Sequence, residues 1–133
     1  MESDDSMPCP CGSMQSYGSC CGPIHRGGAG LGTSAEQLMR ARYSAYVLEN
    51  EPFLLDTWHR TTRPGSITFG DDLEWHGLEV LRVTGGGALE TSGSVEFRAR
   101  FRRNDARLEL HELSTFVREG GSWLYVDGSD PDA

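Results

Sequence analysis

Cys9, Cys11, Cys20 and Cys21 are all the cysteines of the chain, and they fall within thirteen residues in the pattern C-x-C-x8-C-C. Four thiols gathered in this way suit a single ion that prefers four soft donors. Tetrahedral zinc, bound at about 2.3 Å from each sulfur, is that ion. Pro10 fixes φ between the first two cysteines and Gly12 frees the backbone after them, so Cys9 and Cys11 can reach one metal from a tight turn. Cys20 and Cys21 close the site from the other end of the loop. Four ligands leave no open coordination position, which makes such a zinc structural and not catalytic. Two disulfides or free thiols are the alternatives. Disulfides need an oxidising compartment, and a bond between the adjacent Cys20 and Cys21 would be strained. His25 follows as a spare ligand beside a shell that four cysteines already fill.

The other residues able to do chemistry are spread along the chain: Arg42, Tyr46, Trp58, His59, Arg63, Trp75, Glu96, His111 and Glu112. His59, or His111 with Glu112, has the make-up of a general acid or base. Such residues also serve as core aromatics and satisfied hydrogen-bonding histidines. No nucleophile elbow, phosphate loop or H-E-x-x-H motif occurs, since His111-Glu112 lacks the second histidine.

The cysteine segment, residues 8–25, follows a polar stretch over residues 1–7, which reads as a disordered tail. A flexible glycine-rich linker follows at residues 26–32 and sets the segment apart from a domain over residues 33–128. Residues 129–133 read as a second tail. Thr33 or Ser34 caps a helix with Glu36 or Gln37 in its first turn. At about 100° per residue, Leu38, Met39, Ala41, Tyr43, Ala45, Tyr46 and Leu48 share one broad arc, with Glu36, Arg40 and Ser44 opposite. Glu36 and Arg40 form an i,i+4 pair. Arg42 interrupts the apolar arc, and its guanidinium needs acceptors there. Glu112 and Glu96 are the expected partners, and the pair would mark the polar floor of any pocket.

A short second helix is expected from Pro52 to Trp58, with proline in its first turn. The rest reads as strands: Ser66–Phe69, Trp75–Thr84, Ala88–Arg103, Arg107–Arg118 and Ser122–Val126. Val95, Phe97, Ala99 and Phe101 alternate with Glu96, Arg98, Arg100 and Arg102, the pattern of an antiparallel sheet with one wet face. Asn104-Asp105 makes a tight turn. Two helices followed by a strand meander predict an α+β fold, a helix laid across a curved sheet as in a cystatin-like cone.

The formal net charge is −8, which argues against general binding to phosphate backbones. All twelve basic residues are arginine. No run of eighteen apolar residues predicts a membrane span, and the acidic opening Met1-Glu2-Ser3-Asp4-Asp5 is unlike an export signal. A cytoplasmic location, where thiolates stay reduced and available to metal, is the expectation.

Two resemblances sharpen these readings. Cys9-Pro10-Cys11-Gly12-Ser13, Tyr17 and Cys20-Cys21 resemble the SEC-C zinc motif found in the tail of the bacterial protein-translocase ATPase. There the motif contacts a chaperone and the ribosome, so the likeness implies a structural zinc and a protein-binding knuckle with no chemistry of its own. Leu38-Met39-Arg40-Ala41-Arg42-Tyr43-Ser44-Ala45-Tyr46, Thr57-Trp58-His59, Thr62-Arg63-Pro64, Trp75-x-Gly77-Leu78 and Gly93-x-Val95-Glu96-Phe97 resemble the YchJ-like family. So do His111-Glu112, Ser114-x-Phe116 and Trp123-x-Tyr125-Val126-Asp127-Gly128. That family joins an SEC-C segment to a nuclear transport factor 2-like domain. The resemblance implies the fold more firmly than any activity. The function expected is a zinc-knuckle adaptor for a protein partner. The alternative is a small-molecule-binding or acid–base domain, isomerase- or hydratase-like, that uses the cone pocket.

Overall fold

The computed structural model describes residues 5–27, 34–70, 72–87 and 89–131. The main helix, α2 (Ala35–Val47), opens on a capping box. The Ser34 side chain accepts from the Gln37 N–H at 3.2 Å, and the Gln37 side chain accepts from the Ser34 N–H at 3.0 Å. Two of the orphan donors at the helix start are thereby satisfied. A shorter helix, α3 (Glu51–Asp56), has Asn50 as its cap and a proline in its first turn. It starts one residue before the expected Pro52 and ends short of Trp58.

Four strands follow: β1 (Leu73–Gly85), β2 (Ser92–Arg103), β3 (Ala106–Glu119) and β4 (Ser122–Ser129). They pair antiparallel in the order β1-β2-β3-β4. The β2–β3 and β3–β4 connections are two-residue reversals, and throughout the sheet sequence neighbours are sheet neighbours. Asn104 supplies a positive φ of 55° at the β2–β3 turn, which its short polar side chain tolerates. Register breaks at Trp75/Gly77 and Val80/Arg82 in β1, and opposite Thr115/Phe116 in β4, bend the sheet. After α3, the segment 57–59 lies along β4: Tyr125 N–H donates to Thr57 O at 2.8 Å and His59 N–H to Tyr125 O at 2.7 Å.

The expected strand Ser66–Phe69 is irregular chain. The Ile67 N–H goes to the Glu51 carboxylate at 2.8 Å, and Ile67 and Phe69 pack on the core without joining a ladder. The expected strand Ala88–Arg103 starts only at Ser92; Ala88 is outside the described residues, and just before the strand Glu90 folds back to Gly87 through side chain and backbone.

The concave face of the sheet carries Val95, Phe97, Ala99, Phe116 and Trp123, which meet Leu38, Met39 and Tyr43 of α2 and Phe53 and Leu54 of α3 in one core. The same core includes Cys9, Cys11, Tyr17 and Cys21. The cysteine segment thus lies against the helix and shares its interior. Residues 28–32 of the glycine-rich stretch, and Thr33 after it, are outside the described residues.

Candidate metal centre and cone cavity

Pro8 and Ser16 bridge antiparallel, and Tyr17 N–H donates to Met7 O at 2.8 Å, making a miniature hairpin. Cys9 N–H donates to Gln15 O at 2.9 Å across it, and Gly12, at φ 80°, turns the chain just after Cys11. A single 3-10 turn, Tyr17–Ser19, then leads into α1 (Cys21–Gly27), which starts on the fourth cysteine. The four Sγ atoms all lie within 4.8 Å of one another. All four cysteines are free thiols.

This donor set fits a tetrahedral metal. Four sulfurs about 2.3 Å from one centre are about 3.8 Å from each other. Cys11 and Cys20 stand 3.6 Å apart, and Cys20 and Cys21 3.9 Å. Two hydroxyls serve the sulfurs from outside. Ser13 Oγ donates to Cys20 at 3.1 Å and Ser44 Oγ to Cys21 at 3.3 Å, with Cys9 Sγ 3.6 Å from the same Ser44 oxygen. Such outer hydrogen bonds hold thiolates in place. Without a metal the cluster favours one thiolate: the hydrogen bond from Cys21 draws the Cys11 pKa down to about 4, and sharing with that thiolate pushes Cys21 up. Burial raises Cys20. Arg40 anchors the segment from α2 by donating to Cys11 O at 3.0 Å while paired to Glu36 at 3.1 Å.

His25 takes no part in this cluster. Its Nδ1 meets the Tyr17 hydroxyl at 2.6 Å and its Nε2 the Ala41 carbonyl at 2.8 Å. Since a carbonyl only accepts, Nε2 carries the proton, and Nδ1 accepts from Tyr17. Ser44, assigned by helical periodicity to the outer face of α2, is fully buried under the segment. That face looks polar only because its cover comes from another part of the chain.

On its other side α2 meets the concave sheet around a cavity of about 260 Å³. Of the residues singled out by sequence, Arg42, Tyr46, Trp75 and Glu112 line it. Arg42 is 5% exposed. Its Nη1 donates to Leu54 O at 2.8 Å and Thr57 Oγ1 at 2.7 Å, and its guanidinium carbon lies 4.4 Å from the Tyr125 ring centre and 4.9 Å from that of Trp58. These partners replace the expected carboxylate. Glu112 acts on the guanidinium through space but is engaged by Ser114 Oγ at 2.7 Å and, weakly, by the Tyr125 hydroxyl at 3.4 Å. Burial still lowers the Arg42 pKa to about 10, so the group stays charged at neutral pH.

The pairing of His111 with Glu112 does not form, because neighbours on a strand point to opposite faces. His111 lies on the convex face with Glu96, its Nε2 2.7 Å from the carboxylate. His59 is remote from the cavity as well: Nε2 meets Glu119 at 2.9 Å and Nδ1 meets Thr61 Oγ1 at 2.8 Å. Arg63 is exposed and donates to Trp58 O at 3.1 Å. Trp58 covers the far side of Arg42 and donates to Thr62 at 3.2 Å. The acid–base histidines and the cavity are therefore different places. Tyr43, Ser114 and Tyr125, which the sequence reading did not single out, also line the cavity. For Tyr125 the signal was available, since it alternates with the buried Trp123.

A family model described as the middle NTF2-like domain of YchJ matches residues 34–128. The chain belongs to the YchJ-like family. It is 46% identical over 121 residues to a UPF0225 protein of Streptomyces coelicolor, covering 91% of this chain and 94% of that protein. A UPF0225 protein of Bordetella pertussis is 43% identical over 132 residues, with 96% and 98% covered. Among solved structures, the chain resembles an SEC-C motif containing protein of Rhodopseudomonas palustris (TM-score 0.80, 32% identity, 93% of this chain and 98% of that one). It also resembles one from Psychrobacter arcticus (TM-score 0.77, 30% identity, 93% and 82%). The YchJ-like fold expected from the sequence is the fold observed. No helix among the described residues is long and apolar enough to cross a membrane.

Proposed function

We propose that this is a zinc-stapled interaction module, with one structural zinc held by Cys9, Cys11, Cys20 and Cys21. The observation that carries the reading is the convergence of four sulfurs within 4.8 Å at spacings close to a tetrahedron's edges. A four-thiolate site leaves the metal no open position, so its work is to fix the segment onto α2. The segment then presents its outer turn to solvent, where Met14, 96% exposed, is an apolar handle for a protein partner. The likeness to SEC-C proteins supports the same use.

Elemental analysis of protein purified without added metal is expected to give about one zinc per chain. Metal-free folded protein with four titratable thiols would overturn the assignment. For the partner, a photo-crosslinker at Met14 is expected to give a discrete protein adduct that disappears when Cys11→Ser releases the turn. An adduct pattern indifferent to Cys11→Ser would count against the adaptor role.

A further inference from the structure

The cavity on the sheet side of α2 is a second candidate site, lined by none of the cysteines. It is walled by aromatic rings: Tyr43, Tyr46, Trp75, Phe97, Phe116 and Tyr125. Its volume, about 260 Å³, falls just below the roughly 300 Å³ at which drug-sized pockets begin, so an occupant has one or two rings. Two charged side chains face it, one of each sign.

Arg42 is a buried cation with no carboxylate in ion-pair contact among the described residues, an arrangement that apolar packing would improve on for stability alone. Glu112 is held with comparable care. A Cβ at Gly128 would overlap its carboxylate, so the glycine leaves the space that Glu112 fills. Leu110 and Glu112 also line an open groove with Gly128, Ser129 and Asp130, which places the carboxylate between cavity and solvent. The Tyr46 hydroxyl lines the same cavity as Arg42, and its proton is available to a ligand acceptor because a guanidinium only donates.

One cation and one anion cancel, so a charged guest meets a like charge whichever sign it bears. We propose that the cone cavity binds a small uncharged aromatic molecule carrying an amide-like edge, its donor directed to Glu112 and its acceptor to Tyr46 beside Arg42. Ring stacking supplies area, and the paired edge supplies discrimination, because an analogue without it leaves buried polar groups unmet.

Benzamide, benzoate, benzylamine and toluene are matched probes of this edge. They are titrated into the full metal-loaded chain and followed through backbone and tyrosine NMR shifts. Benzamide is expected to move the signals of Tyr46, Glu112 and Tyr125, and to bind at least about tenfold more tightly than the other three. Glu112→Gln leaves Arg42 as the lone charge, so benzoate is expected to overtake benzamide. Gly128→Ala pushes the carboxylate aside while keeping the charge, so benzamide is expected to weaken without any gain for benzoate. This second variant keeps the test open if the first fails to fold. Toluene or benzoate matching benzamide in the native protein, an unchanged order in Glu112→Gln, or shifts confined to the surface at millimolar probe would each overturn the proposal.

Discussion

His25 and Arg42 show what burial asks of single polar residues. Burial lowers the His25 pKa below its ordinary value near 6.5, and the neutral ring is the form that fits: Nδ1 accepts from Tyr17 and Nε2–H donates to Ala41 O. As pH falls, the unfolded chain takes its proton first, so the His25 contribution is present above about pH 6.5 and is lost as pH drops through the folded value. A thermal midpoint measured from pH 7.5 to 5.5 is expected to fall more steeply for the native chain than for His25→Phe. Parallel profiles would show that His25 does not titrate out of this arrangement. Arg42 offers a different test. Its Nη1 meets two oxygens while its guanidinium carbon lies 4.4 Å and 4.9 Å from two ring centres, and a lysine's compact, strongly hydrated ammonium is a poorer match for that desolvated place between rings. Arg42→Lys is expected to lower unfolding stability by about 2 kcal/mol or more, read by urea titration. A loss within about 0.5 kcal/mol would mean that the ammonium reaches equivalent partners.

At the level of elements, α2 depends on its first turn. Ser34→Ala removes one half of the capping box and is expected to cost about 1 kcal/mol, with the cavity ligand order unchanged. No measurable loss would mean that the Ala35 N–H bond to Gly86 O already fixes the helix start. The legibility of each element tracks how local its causes are. The alternation Val95, Phe97, Ala99 against Glu96, Arg98, Arg100 placed β2 and its buried face, because a strand with one wet side writes its period into the sequence. Ser66–Phe69 has a similar composition but goes unpaired, since the Ile67 N–H is taken by Glu51, sixteen residues earlier. Arg42 was legible as a buried charge on the apolar arc, yet its partners were not. They come from the end of α3 and the 57–59 segment, whose placement depends on tertiary packing. Ser44 failed for the same reason: helical periodicity reports polarity, not what another segment brings to cover it.

Across the whole molecule α2 is the shared wall between the cysteine cluster and the cavity. Ser44, Arg40 and Ala41 O hold the cysteine segment, while Met39, Arg42, Tyr43 and Tyr46 face the sheet. Cys9, Cys11, Tyr17 and Cys21 belong to the same buried core as Leu38 and Ala45. The glycine-rich linker suggests a segment that comes and goes, but this packing argues that metal and domain unfold together. Closing a four-thiolate site adds its binding free energy to folding. Removing the metal also leaves the Cys11 thiolate buried without its counter-ion, an arrangement that favours detachment. Chelation under native conditions is therefore expected to lower the thermal midpoint of the entire domain. It should do so in one cooperative transition, reported alike by Tyr17 in the segment and Trp123 in the core, both buried. Because α2 carries a third of the cavity lining, Arg42 and Tyr46 included, the stripped protein is also expected to bind benzamide more weakly. If Tyr17 becomes exposed at low temperature while the Trp123 transition and benzamide binding stay put, the segment is a separable appendage and α2 transmits nothing across its width.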